Sequence, residues 1–195
     1  MTALAIDPAL RLLLRLSVSL LFLWAAGHKL RDGRSFRAAL AGYDLLPQSW
    51  VGAGAALLLT AEIGVAAGLW MPRIDGVAAG AGAGLLTLYA LAVLVNLLRG
   101  RRDIDCGCAG PAGQRQLSAA LVARNGVLIL AALASALPAA ARKVTWIDAF
   151  TIAAGVVTLA LLHAATNGLL DRAPRIAALA AEPAPESDAA EVAHA

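Results

Sequence analysis

Long apolar stretches alternate along this chain with short polar turns rich in arginine. Five apolar segments can be drawn, over residues 10–27, 50–71, 76–98, 117–137 and 149–170. At 1.5 Å per residue, each approaches or exceeds the roughly 30 Å of a hydrocarbon layer if it is helical. Trp50 and Trp70 bound the second segment, about 30 Å of helix apart, as aromatic anchors at two membrane faces would be. The third carries no charge between Gly76 and Leu98, and Trp146 precedes the fifth at an expected interface. The first contains Arg11 and Arg15, and His28-Lys29-Leu30 follows Gly27 directly. Arg15 leaves a short apolar run, which argues for a retained helix over a cleaved signal peptide. The pattern predicts an all-α, polytopic transmembrane bundle over residues 1–170. The tail, 171–195, is rich in Ala, Pro and Glu without periodic large apolar residues, and is expected to be disordered.

Composition supports the bilayer as solvent. Charged residues make up 15% of the chain and mean hydropathy is +0.73, against roughly 25% charged residues in soluble domains. The net charge of +3 does not point to nucleic acid, because the arginines cluster at the ends of apolar runs, as helix-flanking charges do. Gly64 and Gly68 stand four apart, and Gly76, Gly80 and Gly84 continue at that interval. Such rows allow close helix approach in lipid, although a chain rich in Ala and Gly also generates them by chance.

Charge inside a span needs a partner. Glu62 lies mid-way along the second segment, where an unpaired carboxylate costs on the order of 2.5–3.5 kcal/mol by the gentlest scales. Arg124, beside Asn125 in the fourth segment, is the expected partner, since a guanidinium keeps its charge and requires an acceptor. The competing expectation is that Arg124 extends its head to the interface. His28 and Lys29 close the first segment, either as a polar site able to help deprotonate a thiol or as a basic cap on a helix C-terminus. His163 reads as a packing residue. Metal binding is not expected, because two cysteines supply only half a tetrahedral zinc site and no further ligands stand at matching spacing.

Those cysteines carry the chemistry. Cys106-Gly107-Cys108 lies in a polar loop between the third and fourth segments. Residues i and i+2 have α-carbons roughly 5.5–7 Å apart, overlapping the ~4.4–6.8 Å that a disulfide tolerates. Gly107 supplies backbone freedom to bring the sulfurs together. A structural staple gains most by closing a long loop, whereas small exposed rings are the labile ones. The pair therefore reads as a dithiol/disulfide couple. Arg101 and Arg102 would stabilise a thiolate while Asp103 and Asp105 oppose it.

Several local motifs together resemble the MauE family, which groups with DoxX-like four-helix membrane proteins. They are Gly27-His28-Lys29-Leu30, Phe36, Tyr43-Asp44-Leu45-Leu46-Pro47, Glu62, Asn96 to Gly100, Asp105-Cys106-Gly107-Cys108-Ala109-Gly110 and Arg124-Asn125. The resemblance covers roughly residues 12–137; Ala109 departs from it, standing where an aromatic residue is expected. It implies a four-helix DoxX-like core, with a fifth C-terminal transmembrane helix added, in a bacterial inner membrane. It further implies a part in maturing the disulfide-rich small (β) subunit of methylamine dehydrogenase, alongside a thioredoxin-like disulfide partner.

On that basis the chain is expected to be a membrane thiol–disulfide oxidoreductase using Cys106 and Cys108, supported by Gly107, Glu62, Arg124, Asn125, His28 and Lys29. Reoxidation would need an electron acceptor, for which a membrane quinone is the candidate by analogy with other membrane disulfide enzymes. Two other readings remain open: a non-enzymatic scaffold or export component for the dehydrogenase subunit, and a small-molecule carrier built on Glu62 and Arg124. Orientation divides the readings. Lys29, Arg31, Arg34, Arg37, Arg99, Arg101, Arg102 and Arg115 share one side, whereas the other holds Arg11, Arg15, Arg73, Arg142 and Lys143. Charge bias places the cysteine loop in the cytoplasm, whereas disulfide donation requires the oxidising side.

Overall fold

Asp7 starts the first helix by accepting a hydrogen bond from the Ala9 amide at 2.8 Å, with Pro8 at the first helical position. The structure, a computed structural model, describes residues 5–101 and 117–181. Its elements are α1 (Pro8–Arg31), α2 (Gly33–Gly42), a 3-10 turn (Gln48–Trp50), α3 (Val51–Gly68), α4 (Asp75–Leu98), α5 (Ala119–Ser135) and α6 (Trp146–Ala181). The all-α bundle is as expected. Four helices are long and apolar enough to cross a membrane: Pro8–Arg31, Gln48–Gly68, Asp75–Leu98 and Trp146–Leu169. α5 is a shorter apolar helix.

α1, α3, α4 and α5 form a four-helix core, and α6 packs chiefly against α1. Val18 and Phe22 of α1 meet Val65, Ala66 and Leu69 of the α3 end, with Ala78, Ala79, Ala83 and Leu86 of α4 and Ala132 of α5. So many alanines keep the backbones close, which is how helices gain dispersion contact when lipid offers no hydrophobic drive. The closest approaches are at Gly68, where a Cβ would meet the Ala78 Cβ at 2.9 Å, and Gly82, where it would meet Val65 at 3.0 Å and Phe22 at 3.2 Å. Gly64, Gly76, Gly80 and Gly84 face open space. Of the glycines at four-residue spacing, Gly68 is therefore the one on a contact seam within this chain. α6 is seated by Gly155, whose missing side chain admits Leu13 of α1.

Two boundaries differ by more than three residues from the sequence expectation. α1 runs to Arg31, not residue 27, so His28 and Lys29 belong to its last turn. α6 continues as helix to Ala181, past the expected end of the fifth span at 170.

Capping sets the ends of α1 and α4. Asp32 donates its amide to the His28 carbonyl at 3.0 Å and accepts from the Ser35 amide at 3.0 Å, closing α1 and opening α2 with one residue. At the end of α4, Gly100 takes a φ of +72°, Gly100 N donates to Leu97 O at 3.0 Å and Arg101 N donates to Asn96 O at 2.9 Å. That paired pattern is a Schellman stop, and it needs a left-handed residue that glycine supplies without strain.

Candidate functional site

The polar centre of the bundle is built by α1, α3 and α4. Lys29, Glu62 and Asn96 are buried, with Glu62 and Asn96 fully enclosed at 0% exposure. Ser19 sets the register of α1 on α3 by donating to the Ala66 carbonyl at 3.1 Å. From that crossing, Lys29 lies about 15 Å further along α1 and Glu62 about 6 Å along the antiparallel α3. The remaining offset is within reach of a lysine and a glutamate extended toward each other. Lys29 Nζ forms a buried ion pair with Glu62 Oε1. Tyr89 of α4 donates its hydroxyl to the same Glu62 oxygen at 2.8 Å, and Lys29 Nζ donates to the Tyr89 oxygen at 3.1 Å. The ammonium also sits over the Phe36 ring at 4.7 Å and the Tyr89 ring at 5.0 Å. Both are cation–π distances, strengthened where water is excluded. Glu62 Oε2 is buried and has no hydrogen-bond partner among the described residues.

This arrangement corrects the expected Glu62–Arg124 pair. Arg124 Nη1 instead donates to Asn167 Oδ1 of α6 at 2.5 Å, tying α5 to the outer helix. The physical reason is the extra turn of α1, which carries a cation into the interior that a helix ending at residue 27 would have left in the loop. His28 occupies the half-buried side of that turn, its ring edge-on to Trp24 with centroids 4.9 Å apart. Asn125, next to Arg124, is buried and faces the same interior as Lys29.

A cavity of about 480 Å³ opens beside the ion pair. Lys29, Phe36, Tyr43, Trp50, Tyr89 and Asn125 contribute its polar and aromatic wall, and aliphatic residues of α2, α3 and α4 complete it. Trp50 and Leu57, which line it, are 65% and 70% exposed, so the cavity is open at the surface of the bundle. Two of its lining residues are held by Asn96, whose amide donates to the Tyr43 carbonyl at 3.2 Å and the Ala92 carbonyl at 3.1 Å. Neither Tyr89 nor the structural role of Asn96 is anticipated from sequence. The available signal is that both interrupt an otherwise aliphatic span with hydrogen-bonding groups.

Cys106, Gly107 and Cys108 lie outside the described residues. The two residues that bracket their segment are held at the Lys29 end of the bundle. Arg101 donates to the Gly42 carbonyl at 3.2 Å and lies 3.6 Å from the Asp44 carboxylate. Leu117 is buried with Tyr43, Val93 and Leu121.

Comparison with known proteins gives the family. The family model described as methylamine utilisation protein MauE matches residues 7–138. A protein of Paracoccus versutus named methylamine utilization protein MauE is 40% identical over 177 residues, covering 89% of this chain and 95% of the relative. A relative of the same name from Methylorubrum extorquens is 37% identical, covering 84% of this chain and 89% of its own length. One from Methylophilus methylotrophus is 34% identical, covering 83% and 86%. No solved structure matches. Matched over more than half its length by the family model and over most of its length by these relatives, the chain belongs to the MauE family.

Proposed function

We propose that this chain is a multi-pass membrane component of methylamine utilisation that supports maturation of the methylamine dehydrogenase small subunit by thiol–disulfide exchange with a thioredoxin-like partner. The observation that carries the reading is the Cys106-Gly107-Cys108 pair in a chain whose relatives are named for methylamine utilisation. A partner thiolate attacks one sulfur of the Cys106–Cys108 bond, which breaks as the mixed disulfide forms. The partner's second thiolate then displaces that sulfur. The partner leaves as a disulfide, and Cys106 and Cys108 hold the two electrons and two protons as thiols.

The loop is assigned to the oxidising face of a bacterial cell membrane. Lys29 is buried against Glu62, and Arg99 and Arg101 are engaged by the carbonyls of Asp44 and Gly42, which reduces the weight of the charge bias pointing the other way. Substitution of either cysteine by serine removes the bond under attack and is expected to abolish oxidation of the partner, whereas loss of the partner's second thiol is expected to trap the mixed disulfide. Full maturation of the dehydrogenase subunit by C106S/C108S would establish the scaffold reading in its place. Labelling of intact cells with a membrane-impermeant maleimide is expected to modify the reduced loop; modification only after lysis overturns the assigned face.

A further inference from the structure

We propose that the cavity beside Lys29 binds the head of a membrane quinone, with Lys29 Nζ presenting its remaining donor to a ring carbonyl and Tyr89 holding the ammonium in place. Four features of the cavity select that chemistry. Its volume of about 480 Å³ falls in the range of small-molecule sites, which are mostly apolar with a few placed polar groups. Its wall includes four aromatic residues, Phe36, Tyr43, Trp50 and Tyr89, and aromatic rings pack favourably against a planar ring. The charged group lining it is an ammonium, which carries donors and no acceptor, so it recognises a carbonyl oxygen and rejects a second cation. Its lining includes Leu57 of α3 and Leu88 of α4, which are exposed on the outside of the bundle, so a ligand with a long apolar tail can leave that tail in the lipid.

The polar cluster behind the wall is matched to such a ligand. An amine and a carboxylate enclosed among apolar helices are costly as a purely structural device, because hydrophobic residues of similar volume would hold the helices as well. Lys29 Nζ has three donors, of which Glu62 Oε1 and Tyr89 Oη take two. Glu62 Oε2 adds an enclosed oxygen with no partner among the described residues, directly behind the ammonium. Lysine and glutamate together form a short path by which a proton reaches the ring.

The redox consequence rests on the proposed relay. When the Cys106/Cys108 dithiol is reoxidised, its two electrons and two protons convert the quinone to the quinol, and the disulfide is restored. Binding itself does not depend on the relay and is measured without any thiol partner.

The test uses the purified full-length protein in lipid nanodiscs, titrated with a short-chain ubiquinone and read by quenching of tryptophan fluorescence, with Trp50 in the cavity lining as reporter. Saturable quenching is expected. Ala53→Trp, which fills the cavity from an exposed position of α3, is expected to weaken binding at least tenfold. K29M/E62L, which removes both charges together, is expected to do the same while the bundle stays folded by circular dichroism. Absence of saturable quenching by the parent protein overturns the proposal, as does equal binding by both variants. Equal affinity for a saturated alcohol of matching tail length also overturns it, by showing a groove for acyl chains. None of these results bears on whether C106S/C108S supports maturation, so the two readings fail separately.

Discussion

The two ends of the bundle handle charge in opposite ways. Where α1 begins, the charges are partly exposed and join one segment to another. Arg11 and Arg15 both reach Asp75 at the start of α4, and Arg142 bridges Asp7 and Asp148 at distances of 2.7–2.8 Å. Backbone bonds from Ile6 to Pro138 at 2.9 Å and Ala140 to Ile6 at 2.8 Å complete a clasp between the first residues and the α5–α6 connection. Where α1 ends, the charges turn inward. Lys29 and Glu62 are enclosed, their pair borders a cavity, and one enclosed carboxylate oxygen lacks a partner among the described residues. The first end behaves as a fastening at the membrane surface. The second carries costly buried charge beside open space, close to the residues that bracket the cysteine segment.

The sharpest way to break that contrast is to remove one charge at each end. Glu62→Leu leaves the Lys29 ammonium enclosed without its counter-ion and is expected to lower stability by about 3–5 kcal/mol, with K29M/E62L recovering most of it. Thermal unfolding in a single detergent, read by circular dichroism, measures both. If the double variant were no more stable than the single, the buried pair would not be the cause.

Packing gives the next effect. Gly68→Val drives a branched side chain against Ala78 and is expected to cost about 1–3 kcal/mol, whereas Gly80→Ala, into open space, is expected to leave the unfolding temperature unchanged. A charge swap between Glu62 and Arg124 is expected to fail to restore stability, because Arg124 serves Asn167. Asn167→Ala is expected instead to loosen α6, seen as faster proteolysis or hydrogen exchange of that helix.

The smallest effect belongs to the clasp, where solvent screens the ions. The Arg142 guanidinium holds the Asp7 carboxyl below its usual value of 3.8. A lowered carboxylate contributes its stability in full above the unfolded value and loses it as pH falls through the folded one. Protection of the Ile6 and Ala140 amides, taken relative to their intrinsic exchange rates, is therefore expected to be flat from neutrality down to about pH 4 and to fall below. In Arg142→Ala that acid-dependent loss is expected to shrink, because the main interaction that lowers the Asp7 carboxyl is gone.

Much of the architecture was legible beforehand, for a reason visible in single residues. An uncharged run such as Gly76 to Leu98 has one stable arrangement in lipid, a helix that satisfies its own backbone, and Trp50 and Trp70 mark where such a helix meets water. The family was legible from Cys106-Gly107-Cys108 and Arg124-Asn125, and the match over residues 7–138 agrees with it. The partner of Glu62 was not legible. Apolar spacing places helix ends only to within a turn, and one turn decides whether Lys29 is a loop charge or an interior one. Tyr89 was missed because a tyrosine in a span is ordinary until a carboxylate is found beside its hydroxyl.

The sequence by itself determined that the chain is a helical membrane bundle with a thiol pair between its third and fourth apolar segments, because hydropathy and residue type are local properties. Only the tertiary structure decided which cation meets Glu62, where the backbones touch, and that a cavity lies beside the pair. Each of those depends on the register of one helix against another, and register is set by contacts such as Ser19 with Ala66 and Gly82 with Phe22, between residues far apart in the chain.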